Sequence, residues 1–293
     1  MSQHNSTNLI DKQDLKFSDR LRNAWGVVEK SRHPQRPYTL DYTVKIFSDF
    51  EEVRGDRAYS DDAAIVAGMA RLESEDYKQN VFIVSHQKGR NTKQKILRNF
   101  GMARPEGYRK AMRVFELAER FKMPVITFID TPGAFPGVGA EERGQSHAIA
   151  ASIQRMFEVK VPTVSVVIGE GGSGGALAIG VGDRLLMLEN SIYSVISPES
   201  CAAILWGNSA ESKRAAVALK MSAQETLELG LCDQIISEPG NGAHESMEET
   251  AASIKKALIE NLKTLSGLSQ EELLRQRFEK YRKIDQRNFI EKA

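Results

Sequence analysis

Apolar residues fall along the chain in short blocks whose period switches between helix and strand. Leu21, Trp25 and Val28 recur at helical spacing, which predicts an amphipathic helix over residues 17–31. Two prolines in Arg32-His-Pro-Gln-Arg-Pro-Tyr38 end it, and the mixed segment 39–53 is expected to resume as helix. The apolar runs 63–72 and 81–84 flank Glu73-Ser-Glu-Asp76, a pattern that suits a hairpin. Pro105 opens a helix phased on Tyr108, Met112 and Phe115 that ends near Lys122. A strand over 124–129, a helix over 141–157 and a strand over 163–168 follow. Further strands are expected at 184–188, 192–196 and 232–236. Ser197-Pro-Glu starts a helix, with Ser197 as N-cap and Pro198 in the first turn. Residues 221–230 form another capped helix, and helices over 246–263 and 269–288 close the chain.

The centre of this pattern is Val161 to Gly180. Thr163 to Ile168 is uncharged and mostly β-branched, as in a strand covered on both faces. Gly169, Gly171, Gly172, Gly174 and Gly175 follow at once, and Ala176 to Ile179 can continue as helix. Glycines let a ligand approach the backbone, and free N–H groups at a helix start suit an oxyanion or phosphate. Gly169, Gly171 and Gly174 also fit the spacing of a dinucleotide site, although Gly180 and Gly182 cut the following helix short. No Walker lysine follows the glycines.

The arrangement has an echo. Lys122-Met-Pro124 and Lys160-Val-Pro162 lie 38 residues apart, as do Gly133 and Gly171, and Gly137 and Gly175. Strand, glycine turn and helix therefore recur as a unit. Right-handed crossovers bring such turns to one end of a sheet, where backbone N–H groups rather than side chains make the site. Ser85-His-Gln-Lys-Gly-Arg90 is expected at that same end. There His86, Lys88 and Arg90 either meet an anion or form a solvated charged loop.

Composition removes several classes. A net charge of +1 makes no global case for nucleic-acid binding, and no apolar run is long enough to span a membrane. With no apolar leader, cytoplasm is the expected location. Cys201 and Cys232 are too few for a zinc cluster, and no G-x-S-x-G elbow or H-E-x-x-H motif occurs. Ser173 has no histidine obviously placed to activate it, His147 being the nearest candidate. The chemistry that remains is stabilisation of a developing enolate or similar oxyanion by preorganised N–H groups.

Several motifs, in order, carry a resemblance. Asp130-Thr-Pro-Gly-Ala-Phe-Pro-Gly137, Glu141-Glu-Arg-Gly-Gln145, Gly169-Glu-Gly-Gly-Ser-Gly-Gly175 and Tyr193-Ser-Val-Ile-Ser-Pro-Glu199 closely resemble the carboxyltransferase α subunits of multisubunit acetyl-CoA carboxylase. The likeness spans roughly residues 30–290, and departs at an N-terminal segment shorter than is common in that family. It implies an α/β, crotonase-like β–β–α superhelix. The expected divisions are an N-terminal helical segment (1–35), the carboxyltransferase domain (36–262) and a C-terminal helical extension (263–293).

The resemblance further implies transfer of a carboxyl group from carboxybiotin on the biotin carboxyl carrier protein to acetyl-CoA, giving malonyl-CoA for fatty-acid synthesis. Partners would be a β subunit in an α2β2 heterotetramer, the carrier protein and biotin carboxylase. Neither a membrane nor a nucleic acid would be involved. The β subunit would hold most of the acetyl-CoA site and a zinc ribbon, leaving no metal in this chain. By the same resemblance, the N–H groups of Gly174 and Gly175 would hold the ureido oxygen of the biotin enolate. Gly171, Gly172 and Ser173 would shape that turn. Gly133, Ala134, Phe135 and Gly137 would line the neighbouring wall. Arg143 would either orient a carboxylate or sit in a structural ion pair. A nucleotide-dependent oxidoreductase and an inert scaffold are the competing classes.

Overall fold

A computed structural model describes residues 19–284. In chain order, helix α1 covers 19–31 and α2 Thr39–Ile46; the strands β1 Phe47–Glu52, β2 Ile65–Ser74 and β3 Tyr77–His86 follow. Next come α3 Thr92–Leu97, α4 Pro105–Phe121, β4 Val125–Thr131, α5 Val138–Glu142 and α6 Gln145–Glu158. The central unit is β5 Thr163–Gly172, α7 Ser173–Leu177, β6 Arg184–Leu188 and β7 Ile192–Ser194. The chain then forms α8 Pro198–Trp206, α9 Ser212–Leu219, α10 Ala223–Glu228, β8 Gln234–Ile236, α11 Met247–Ser266 and α12 Gln270–Lys283.

The strands make one mixed sheet in the order β1-β2-β3-β4-β5-β6-β8, with β7 beside the far end of β5. The pairs β1–β2 and β2–β3 are antiparallel; every pair from β3 to β8 is parallel. Both faces are covered. On one, Val84, Val125, Ile129 and Val167 pack with Tyr108, Val114 and Phe115 of α4 and Met156 of α6. On the other, Ile83, Ile126, Phe128, Val164, Val166 and Ile168 pack with Tyr42 of α2 and Ile254, Leu258 and Leu262 of α11. Alternate residues of each strand thus feed two cores, and the strands read as unbroken apolar runs for that reason.

The 38-residue echo is the register of the parallel pair β4–β5. Val125 faces Thr163 and the pairing keeps step to Ile129 opposite Val167; then it slips, so that Thr131 faces Gly171. The irregularity kinks the end of β5 just before the helix.

Three expectations change. Segment 39–53 is not one helix, because Phe47 leaves α2 to pair with Leu72 at the sheet edge and sets its ring edge-on to Phe128 at 6.2 Å. The 141–157 helix is broken at Arg143–Gly144, where Gly144 adopts φ 81°. Strand β5 runs on through Gly169–Gly172, so these glycines lie in strand rather than in a turn, and helix begins already at Ser173. The hairpin of β2 and β3, the N-cap at Ser197 and a capped helix within 221–230 are as expected, the cap of the last being a capping box of Ser222 with Glu225. Helix α11 runs unbroken across residue 262, and α12 is anchored by Arg277, which is 1% exposed. Residues 17–18 and 285–288 of the two expected terminal helices lie outside the described residues. Among those described, no helix is long and apolar enough to cross a membrane.

Candidate active site

Strands β4 and β5 end side by side, and their two turns lock together. A Cβ on Gly172 would stand 2.2 Å from the Pro132 carbonyl oxygen. One on Gly171 would stand 2.4 Å from the Tyr193 ring. Only glycine permits both approaches. The β4 turn is itself pinned. Thr131 Oγ1 donates to the Gly133 carbonyl at 2.7 Å, and Gln145 Nε2 donates to the carbonyls of Phe135 and Ala103 at 2.9 Å each. The Phe135 ring lies under the Arg104 guanidinium at 4.7 Å.

Helix α7 starts immediately past Gly172 with no side-chain cap, and Ser173 holds φ 52°. A helix start leaves N–H groups without intrahelical acceptors. Among the described residues no acceptor serves the N–H groups of Gly174 or Gly175, the second and third residues of α7. The far end of the turn is fixed: Ser152 Oγ donates to the Ala178 carbonyl at 2.6 Å and Thr127 Oγ1 to that of Ile179 at 2.7 Å. Ser173 and Gly174 open onto a cavity of about 250 Å³ whose other walls include Leu177, Tyr193, Val195, Leu219 and Leu231. Unpaired donors therefore meet an apolar hollow, the combination that holds a polar atom on an otherwise apolar ring.

Behind the glycines lies an ion network. Lys88 Nζ is 2.8 Å from Asp130 and 3.0 Å from Glu170, and Arg32 bridges Glu170 at 2.8 Å and Glu199 at 2.6 Å. Asp130 Oδ1 also accepts the Glu170 N–H at 3.0 Å. Burial pushes the Glu170 carboxyl up, but Lys88 and Arg32 prevail and hold it below its ordinary value. Burial would lower the Lys88 ammonium, yet Asp130 and Glu170 raise it. These ion pairs satisfy one another and brace the strand ends.

The predicted site residues thus fall into two groups. Gly133, Ala134, Gly171, Gly172, Ser173, Gly174 and Gly175 come together at the paired turns, and Phe135 and Gly137 continue the β4 turn toward α5, where a Cβ on Gly137 would stand 2.3 Å from the Phe135 ring. Arg143 lies apart: its Nε donates to Glu106 at 2.7 Å and its guanidinium covers Tyr59 at 4.9 Å. The 85–90 loop is not a uniformly solvated charged loop, although Arg90 stays exposed. His86 is buried, Lys88 joins the network, and Arg90 pairs with Asp41 and stacks over Tyr38. His147 is exposed and, among the described residues, makes no hydrogen bond to Ser173. The dinucleotide pattern fails on geometry, because Gly169 and Gly171 belong to β5 and α7 is five residues long. The network itself was missed. Its signal was two carboxylates, Asp130 and Glu170, at the ends of the echoed strands.

This architecture is that of the crotonase-like carboxyltransferases. Transcarboxylase 12S superimposes with a TM-score of 0.60 at 20% identity, over 76% of this chain and 40% of that one. A Pseudomonas malonate decarboxylase hetero-tetramer gives 0.61 at 16% identity, over 79% and 92%. At the level of sequence, residues 7–285 match the family described as acetyl co-enzyme A carboxylase carboxyltransferase-like. The acetyl-coenzyme A carboxylase carboxyl transferase subunit alpha of Thioalkalivibrio sulfidiphilus is 59% identical over 256 residues, covering 87% of this chain and 79% of that protein. That of Geobacter metallireducens is 55% identical over 262 residues, covering 89% and 81%. The chain belongs to this family of carboxyl transferase alpha subunits.

Proposed function

We propose that this chain supplies the biotin side of a carboxyl transfer between a biotinylated carrier protein and acetyl-CoA, with malonyl-CoA as product. The observation that carries the reading is the set of unpaired N–H groups at Gly174 and Gly175, beside an apolar cavity and against the Gly133–Ala134 backbone. The residues fit the group. The ureido oxygen needs donors, which the turn offers, and the rest of the bicyclic ring and its chain need an apolar wall, which Leu177, Tyr193 and Val195 provide.

When bound, carboxybiotin supplies the carboxyl group and a basic ring nitrogen. The protein's part is orientation and charge stabilisation. The N–H groups of Gly174 and Gly175 hold the ureido oxygen, and each such donor contributes about 2.7–4 kcal/mol to lowering the barrier. Their directions are preorganised by the pinned ends of the turn, so little reorganisation accompanies the reaction. Gly133, Ala134, Phe135 and Gly137 form the facing wall and exclude water. Arg143, held by Glu106, shapes the loop that follows.

A β subunit completes the site with the acyl-CoA pocket and a zinc ribbon, in an α2β2 assembly that works with the carrier protein and biotin carboxylase. The test is malonyl-CoA-dependent carboxylation of a free biotin derivative by this chain alone and with the β subunit. Activity in the complex only is the expected result. Activity of the isolated chain contradicts the division of labour, and an inactive, well-formed complex contradicts the reaction.

A further inference from the structure

A second cavity, of about 250 Å³, opens beside Pro132 and Glu170, and none of its wall residues belongs to the cavity at Gly174. The seam that shares Arg32, Pro132 and Glu170 with the one and Ser194 with the other encloses about 10 Å³, room for at most one water. A ligand in either cavity therefore does not reach the other, and the carboxyl-transfer reading uses only the first. The wall of the second holds an outlier. Asn99, Phe100 and Gly101 are all left-handed, at φ 46°, 58° and 82°. That conformation is costly for an aromatic residue, and packing does not repay it, since Phe100 is 49% exposed and joins neither core. The surroundings enforce it. Arg98 Nη1 donates to the Ala63 carbonyl at 2.8 Å, and the N–H groups of Gly101 and Met102 donate to the carbonyls of Arg98 and Asn99 at 2.8 and 2.9 Å. A Cβ on Gly101 would stand 2.9 Å from Lys88 Cγ and 3.0 Å from the Asp130 carbonyl oxygen, so the turn rests on the ion network. The strain thus holds an aromatic ring at the cavity wall.

Two further rings complete that wall. Tyr38 is backed by the Arg90 guanidinium at 4.2 Å and His33 by the His244 ring at 3.8 Å, so both are held firmly. The polar part of the wall is unspent. Arg32 and Lys88 are taken up by Glu170, but Lys95 of α3 has no carboxylate partner among the described residues. After β3, the Gln87 N–H donates to the Ala64 carbonyl at 2.9 Å and the Arg90 N–H to Gln94 Oε1 at 3.0 Å, whereas among the described residues no acceptor serves the N–H groups of Lys88 and Gly89. Gly89 is buried, and a Cβ there would stand 2.2 Å from the backbone carbonyl carbon of Gln94. An aromatic surface, a free ammonium and two free N–H groups thus line one small cavity.

We propose that this cavity binds a nucleoside phosphate, with the base against Phe100 and the phosphate held by Lys95 and the N–H groups of Lys88 and Gly89. The rings alone would suit any apolar group and the donors alone any anion; together they select a flat aromatic ring that carries a negative charge. The bicyclic ring of biotin is saturated beside its ureido group and offers no aromatic face. Two sources carry the selected chemistry: a free nucleotide, and the nucleotide end of the CoA that the proposed reaction uses. The proposal goes beyond the carboxyl-transfer reading and does not depend on it.

The test is equilibrium dialysis of AMP against the full chain. Saturable binding is expected, with adenosine and ribose 5-phosphate each about tenfold weaker or more. Phe100→Leu, which keeps an apolar side chain and loses the aromatic face, should weaken AMP about tenfold. Lys95→Gln should weaken AMP by about the same factor and leave adenosine unchanged. Lys95 is exposed, so this variant decides the matter should Phe100→Leu not fold. No saturable AMP binding, ribose 5-phosphate bound as tightly as AMP, or AMP binding unchanged in either variant overturns the proposal. Turnover of the complex with the β subunit then separates the sources. A KM for malonyl-CoA raised by Phe100→Leu identifies the nucleotide end of CoA; a KM that stays while AMP binding is lost identifies a free nucleotide. The dialysis needs no turnover, so failure of the nucleotide site and failure of the carboxyl-transfer reading are told apart.

Discussion

A methyl group on Gly175 would stand 2.6 Å from the carbonyl carbon of Gly133 and 2.7 Å from the nitrogen of Ala134. Both neighbours are backbone, so neither can swing aside. At Gly174 the same methyl would meet only the Ile149 side chain, Cγ2 at 3.4 Å and Cδ1 at 3.7 Å, ordinary contacts. Adjacent glycines thus have different reasons to be glycine. Gly175→Ala should lose roughly 1–3 kcal/mol of stability by overpacking. Gly174→Ala should keep or slightly raise Tm, since alanine favours helix by up to about 1 kcal/mol. Thermal unfolding of the two variants checks this; equal shifts in Tm would contradict it.

Lys88 is the keystone of the network behind the turn. Lys88→Met would leave Asp130 and Glu170, 4% and 11% exposed, facing each other without their shared cation. Breaking a buried pair from one side costs about 3–5 kcal/mol. Urea unfolding should show that loss, and Lys88→Met with Asp130→Asn should recover part of it. Additive losses would refute the coupling.

Acid should destabilise the protein in two stages. His86, held at about 3 by burial against an ordinary 6.5, is neutral when folded and protonated when unfolded between those values. The unfolded state then binds more protons, so stability falls as pH drops below about 6.5. His244, lowered by burial and by His33 stacked at 3.8 Å, adds to this limb. Glu170 and Asp56 act later. Both are raised by burial but lowered more by their partners: Lys88 and Arg32 for Glu170, and for Asp56, which reaches about 2, the N–H groups of residues 58–60 and Arg109. Their contribution is present above the ordinary carboxylate range and is lost as pH falls through it. Tm against pH should show both limbs, and His86→Phe should flatten the upper one.

Arg277 ties α12 to the sheet. Its guanidinium donates to both Asp183 oxygens, at 2.8 and 2.9 Å, and to the carbonyls of Met156 and Val159 at 2.7 Å each. Asp183 in turn accepts the Thr163 N–H at 2.7 Å, at the start of β5. Arg277→Met should cost about 3–5 kcal/mol, with hydrogen exchange in α12 rising first. Unchanged protection would rule out the anchoring role.

The strands were legible because burial on both faces leaves an unmistakable apolar run, and the β4–β5 register could be read from the repeat of Lys-x-Pro and the glycines. Local pattern failed where tertiary contacts decide. Phe47 has helical neighbours, yet Phe128 and Leu72 draw it into the sheet. Gly169–Gly172 look like a turn, yet pairing with Thr131 and Tyr193 keeps them extended. Arg143 was readable only as two alternatives, and it takes a fold to bring Glu106 beside it. The Lys88–Asp130–Glu170 network joins three strand ends, and its one sign in sequence is the placement of Asp130 and Glu170 at the ends of the echoed strands.

The most direct test of the central claim removes the donors without adding a side chain. Replacing the Gly174 or the Gly175 amide by an ester deletes one N–H while keeping the glycine α-carbon. In the assembled enzyme each replacement should lower kcat for carboxyl transfer by about 10²–10³, with Tm near that of wild type because neither N–H has a protein acceptor. Turnover at the wild-type rate in both ester enzymes would contradict the account, and would mean that these glycines serve packing alone.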